Sequence, residues 1–129
     1  MALTQYGVDY DAIAPFYDAN PTRQRKADPD LLEFVANRGT EGTRVLDIGC
    51  GTGIQPVANA PILPNLFQVG LDPFQGMLEV AARKSRRIAW VRADGQALPF
   101  RDGSFDFVTN QFSFHHMHEP SRMIAEAHR

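Results

Sequence analysis

The chain has 129 residues, 43% of them hydrophobic and 22% charged, with a formal net charge of −2. That suffices for one globular domain and no more, and the near-neutral charge argues against nucleic acid or an anionic membrane as the main partner. No apolar N-terminal stretch reads as a signal peptide, no run approaches a membrane span, and the single cysteine, Cys50, excludes an internal disulfide and suits a reducing cytoplasm.

Residues 1–20 carry Tyr6, Tyr10, Phe16 and Tyr17, and the pattern predicts one or two helical turns broken by Pro15. Aromatic side chains so placed commonly pack on a core. Arg23, Arg25 and Lys26 read as a solvated link. A helix should follow: Asp28 can cap it, Pro29 suits its first position, Leu31, Leu32 and Val35 share a face, and Gly39 is a plausible stop. Nothing in this helix points to chemistry.

Val45-Leu46-Asp47-Ile48 reads as a short buried strand. Gly49, Gly51 and Gly53 follow at alternate positions, where the backbone can bend sharply and come close to a ligand. A helix starting near Ile54 would aim its first amides into the turn. The spacing excludes a dinucleotide fingerprint, because the third glycine of G-x-G-x-x-G would fall on Ile54 or Pro56. No Gly-Lys-Ser/Thr triplet exists for a phosphate loop.

The run Val45 to Gly53, VLDIGCGTG, resembles motif I of the class I S-adenosylmethionine-dependent methyltransferases, in particular the small-molecule methyltransferases. The resemblance implies that Asp47 and the backbone of Gly49, Gly51 and Gly53 hold the methionine end of S-adenosylmethionine. It implies that residues 1–40 form a helical lid, with Tyr10 and Tyr17 the residues to watch, and that residues 41–129 form the cofactor-binding α/β core. Cys50 is a poor nucleophile candidate, since the turn needs only a small side chain there.

A short helix from about Ile54 to Ala60 is stopped by Pro61 and Pro64. Leu66 to Leu71 reads as a second strand ending at Asp72, which lies 19 positions beyond Gly53. An acid at that spacing and at a strand's end is where a ribose is held, and in the resembled family Asp72 is the motif II acid. With Pro73 next, it can also cap a helix. Phe74, Met77, Leu78 and Ala81 mark an amphipathic helix. Met77 matches a family position near the adenine, though ordinary core packing explains it equally well. Arg83, Lys84, Arg86 and Arg87 complement the helix C-terminus as a solvated face.

Ile88 to Val91 is the third strand, and Asp94-Gly95-Gln96-Ala97-Leu98-Pro99-Phe100 follows. By the resemblance, Asp94 accepts from the adenine amine and a backbone amide of Gly95, Gln96 or Ala97 serves a ring nitrogen. A loop aspartate making an Asx turn is the plain alternative. Ser104 to Asn110 holds the fourth strand, with Asp106 structural at its start. In a sheet ordered 3-2-1-4, strands 1 and 4 diverge at a switch point where ligands bind, so Asn110 and Gln111 should face the transferable methyl. His115, His116 and His118 crowd the next stretch. Adjacent residues point apart and no carboxylate or cysteine completes a metal set, so a general base at His115 or His116, or a hydrogen-bonded pocket lining, is favoured over a metal.

The expectation is a three-layer Rossmann-like α/β domain with a parallel sheet ordered 3-2-1-4, lacking the C-terminal strands of the resembled fold. It would transfer a methyl from S-adenosylmethionine to a small-molecule acceptor. The alternative is a non-catalytic S-adenosylmethionine-binding module or a fragment of a longer methyltransferase. An uncovered strand-4 edge holding Phe105, Phe107 and Val108, with Phe112 and Phe114 beyond, would invite a homodimer.

Overall fold

The computed structural model describes residues 9–19 and 24–110 of the chain. Its elements run α1 (Tyr10–Ile13), a 3-10 segment (Ala14–Ala19), α2 (Pro29–Arg38), β1 (Arg44–Ile48), α3 (Ile54–Asn59), β2 (Phe67–Asp72), α4 (Gln75–Lys84), β3 (Ala89–Arg92) and β4 (Phe107–Asn110). The four strands form one sheet in the order β3-β2-β1-β4, every pair parallel, as the motif order predicts.

Strand alternation sorts the core into two layers. Leu46, Ile48, Val69 and Leu71 point to one face, where Val91, Ala93, Leu98, Phe100, Phe105 and Val108 pack on them. Val45 and Phe107 point to the other face and meet Leu31, Leu32, Phe34 and Val35 of α2, with Leu63 and Leu66. Phe105, expected within the fourth strand, lies before it and stacks edge-on against Phe100 at 5.0 Å. Burial there outweighs its strand propensity. Pro15 does not break the N-terminal turns. The chain tightens from α-helix to 3-10 helix, and the proline sits in the first turn, where a missing N–H costs little.

Side-chain amides join α3 to β2. Asn59 Oδ1 accepts from the Asp28 amide at 2.9 Å and from Gln55 Nε2 at 2.9 Å, and Asn59 Nδ2 donates to Gln68 Oε1 at 3.3 Å. Gln68 Nε2 in turn donates to the Pro56 carbonyl at 3.0 Å. Such buried groups are costly when unpaired, so the network holds α3 in place against β2. At the opposite end of the strands from the glycine turn, Asp106 Oδ2 accepts from the Arg44 amide at 2.8 Å and Oδ1 from Arg38 Nη2 at 2.8 Å. Hydrogen bonds from Arg44 hold the Asp106 carboxyl down to about 2. Its structural role, tying the start of β4 to β1 and α2, is as expected.

Trp90 of β3 lies against the α4 face. A Cβ built on Gly70 would come 2.5 Å from the indole and 2.9 Å from Cys50 Sγ, and one built on Gly53 would also reach the indole at 2.5 Å. The indole Nε1 donates to the Ser85 carbonyl at 3.0 Å, which fixes the ring's direction. Gly70→Ala should therefore overpack the site and cost about 1–3 kcal/mol. Urea denaturation should show a clearly smaller cost in a Trp90→Leu background; equal costs in both backgrounds would refute the steric account.

Candidate cofactor site

The site is built where β1 and β2 end. Gly49 and Gly51 take left-handed φ values of 71° and 58°, and Gly53 does so at 78° as the residue before α3. L-residues with a Cβ avoid this region, which is why the turn alternates glycine. Gly53 must also be small because Trp90 lies against it, whereas a Cβ on Gly51 would meet nothing within 4 Å. The turn is thus packed from behind and open at its centre.

Two acids flank it, and both are buried: Asp47 is 5% exposed and Asp72 6%. Burial, then the charges of Asp72 and Asp28, push the Asp47 carboxyl from 3.8 up to about 8. Burial likewise pushes Asp72 up to about 6, against the opposing effect of hydrogen bonds from the Phe74 and Gly51 amides. Asp72 Oδ1 accepts from Phe74 at 2.9 Å and Oδ2 from Gly51 at 2.9 Å. It therefore does act at the start of α4, and it faces the turn as well. Burial pushes the Cys50 thiol well up, which removes it further from nucleophilic chemistry.

The segment 9–19 docks beside this cradle. Tyr10 packs on Phe74 with ring centroids 5.3 Å apart, and on Tyr17 at 6.5 Å. Asp11 Oδ1 accepts from the Gly76 amide at 2.6 Å. Thr52 Oγ1 donates to Asp18 Oδ1 at 2.5 Å, Lys84 Nζ donates to Thr52 Oγ1 at 3.3 Å, and Lys84 also pairs with Asp18. Asp18, Thr52 and Lys84 were not singled out from sequence. They lie 34 and 32 positions apart along the chain, and no local pattern carries such a contact. Lys84 is one of the four cations read as a solvated face; it is the one that turns back to the glycine turn.

Met77 is a core side chain of α4, 2% exposed. Asp94 makes the Asx turn: its Oδ1 accepts from the Gln96 amide at 2.8 Å, its carbonyl accepts from the Ala97 amide at 3.0 Å, and Gln96 Nε2 reaches Oδ1 at 3.2 Å. Gly95 sits inside this turn. Asn110 ends β4, paired in register with Ile48 at the end of β1, beside the glycine turn. Gln111, His115 and His116, together with Phe112, Phe114 and His118, lie outside the described residues. Among the described residues no group of three His, Cys, Asp or Glu side chains could hold a metal ion, and no helix is long and apolar enough to cross a membrane.

A parallel sheet ordered 3-2-1-4, with a glycine turn after β1 and an acid ending β2, defines a Rossmann-like nucleotide-binding protein of the methyltransferase type. The model of the methyltransferase domain family matches residues 46–129, and the chain belongs to that family of S-adenosylmethionine-dependent enzymes. It is 36% identical over 127 residues to a demethylmenaquinone methyltransferase of Renibacterium salmoninarum, covering 91% of this chain and 50% of that protein. It is 33% identical over 117 residues to a malonyl-[acyl-carrier protein] O-methyltransferase of Geobacter sulfurreducens, covering 88% of this chain and 43% of the relative. Among solved structures it resembles an S-adenosylmethionine-dependent methyltransferase of Thermotoga maritima, with a TM-score of 0.63 and 27% identity over 93% of this chain and 54% of the other. The chain spans about half the length of these curated relatives.

The residues present suit the family's cofactor. Among the described residues nothing lies within 4 Å of where a Cβ on Gly51 would sit, and an ionised carboxylate has about four acceptor positions, of which Asp72 uses two on the Phe74 and Gly51 amides.

The buried acids make a pH prediction. The folded chain keeps a proton on Asp72 between pH 3.8 and about 6 that the unfolded chain has released, so stability of the ligand-free protein should fall as pH rises through that window. The expected loss is on the order of 3 kcal/mol, at about 1.4 kcal/mol per pH unit, with a further decline toward pH 8 from Asp47. Urea midpoints at pH 4.5 and 7 check this. A protein that gains stability over that interval would refute it.

Proposed function

We propose that this chain binds S-adenosylmethionine at the glycine turn and serves methyl transfer to a small-molecule acceptor. The observation that carries the reading is the convergence of Asp47, the turn from Gly49 to Gly53 and Asp72 at the C-terminal ends of β1 and β2, beside the end of β4, which pairs with β1 up to Asn110. When bound, S-adenosylmethionine supplies a methyl group already activated on a sulfonium. The protein's share is then positioning and exclusion of water.

In this reading Asp47 and the turn hold the methionine end, and Asp72 accepts from the ribose hydroxyls. Asp94, with the backbone of Gly95, Gln96 and Ala97, serves the adenine, with Met77 in the layer behind. Reading the adenine edge requires the Asx turn at Asp94 to share its acceptors, which a carboxylate can do. Tyr10 and Tyr17 belong to the covering segment, Asn110 and Gln111 face the methyl, and His115 or His116 is the candidate base. The relatives act on dissimilar acceptors by name, which supports a small organic acceptor as a class and no one compound.

S-adenosylmethionine or S-adenosylhomocysteine should bind 1:1 by calorimetry and stabilise the fold. Asp72→Ala should weaken binding about tenfold or more, since hydrogen bonds to a charged group are worth about 1.5–3 kcal/mol. Absence of heat and of thermal stabilisation with both compounds would sink the cofactor reading. Methyl release from labelled cofactor separates an enzyme from a binding module.

We also propose that a second copy of the chain pairs along β4. That strand has β1 on one side and, among the described residues, no strand on the other. Such an edge is a template for pairing. Phe107 and Val108 both pack inward, so the edge offers backbone groups more than apolar side chains. Light scattering behind a sizing column should give the mass of a dimer; a well-behaved monomer at tens of micromolar would overturn this.

A further inference from the structure

Three successive amides of the glycine turn end on two successive residues of β2. Gly49 and Cys50 donate to the Leu71 carbonyl at 2.7 and 3.0 Å, and Gly51 donates to Asp72 Oδ2 at 2.9 Å. The first two bonds use backbone on both sides and would survive any side-chain change. The third depends on one carboxylate. Among the described residues a Cβ on Gly51 would meet nothing within 4 Å, so the Cys50–Gly51 peptide is oriented by two bonds: its carbonyl accepts from the Gly53 amide at 2.9 Å within the turn, and its N–H is held from outside the turn by the Asp72 carboxylate alone. The same carboxylate takes the Phe74 amide through Oδ1 at 2.9 Å and so also fixes the start of α4.

We infer that Asp72 is a positioning residue for the glycine turn, so that one carboxylate couples the ribose end of the cofactor site to the methionine end. The inference rests on the cofactor reading above. One lone-pair position on each oxygen is taken by a backbone amide, and one on each remains for a vicinal hydroxyl. Ribose binding therefore need not release the turn. It holds the carboxylate still, and the carboxylate holds Gly51. Removing the carboxylate takes away the ribose contact and one of the two bonds that orient the Cys50–Gly51 peptide, leaving only the bond within the turn. In Asp72→Asn one backbone amide faces a carboxamide nitrogen, which cannot accept.

The test uses two probes: S-adenosylhomocysteine, and 5′-methylthioadenosine, which keeps adenine and ribose and lacks the amino-acid end. Binding by calorimetry is paired with amide hydrogen exchange of the ligand-free protein. In Asp72→Ala, exchange at Gly51 should speed up about tenfold or more, as expected for loss of a charge-assisted bond, while Val69 inside β2 keeps its rate. S-adenosylhomocysteine should lose at least about threefold more affinity than 5′-methylthioadenosine, a difference that a plain ribose contact does not produce. Unchanged exchange at Gly51, or equal losses for the two probes, would overturn the coupling. Faster Gly51 exchange with a selective loss of S-adenosylhomocysteine, but undiminished 5′-methylthioadenosine binding, would remove the ribose assignment and leave the positioning role standing. Should Asp72→Ala not fold, Asp72→Asn carries the same two readouts, with exchange at Gly51 or at Phe74 expected to rise and neither rising counting against the proposal.

Discussion

The contact on which the rest of this molecule depends is the closure of the glycine turn onto the end of β2. Parallel pairing sets Ile48 beside Leu71, so β1 and β2 finish level and the chain leaving β1 meets free acceptors on its neighbour. The Leu71 carbonyl takes two amides and Asp72 takes a third. A slip of β1 by one residue against β2 would turn Asp47 to the opposite face and put Leu46 against the helices. The amides of Gln55, Asn59 and Gln68 hold α3 to β2, so the helix that follows the turn arrives in one place only.

The same closure accounts for the unfavourable electrostatics. Two carboxyls sit beneath the turn, where no cation among the described residues offsets their burial, and both are pushed toward the neutral form. A protein selected for stability alone would place an amide or an apolar residue at these positions. Retaining acids where they are costly is the pattern expected of a site that meets donors from outside the chain. Asp106 shows the contrast: at the other end of the strands, with Arg38 and Arg44 beside it, a carboxylate is held ionised and works only as a tie.

Much of this was legible in the sequence, because the strands are short apolar runs bounded by glycine, proline and aspartate. The four strands, the turn and Asp72 follow from local pattern and spacing, and the order of the strands follows from the family that the motifs resemble. What was not legible depends on contacts distant in sequence. The Thr52 hydroxyl, to which the sequence assigns no partner, joins Asp18 and Lys84. Gly70 lies within the second strand read from sequence, and the positions of Trp90 and Cys50 explain why it has no side chain. Pro15 and Phe105 were assigned by propensity, and tertiary packing and backbone tightening decided otherwise. Asp94 shows its local alternative, the Asx turn, because a loop aspartate finds a backbone donor two residues on without any ligand.

Trp90 has an optical consequence. It is the single tryptophan of the chain, and its ring lies against Gly53 and Gly70 with its nitrogen committed to Ser85. Indole emission from this protein therefore has one source, set directly behind the turn and shielded on that side from bulk water. The colour and yield of that emission are tied to the geometry of five residues, Gly49 to Gly53, and evolution has in effect left a native chromophore at the back wall of the cradle.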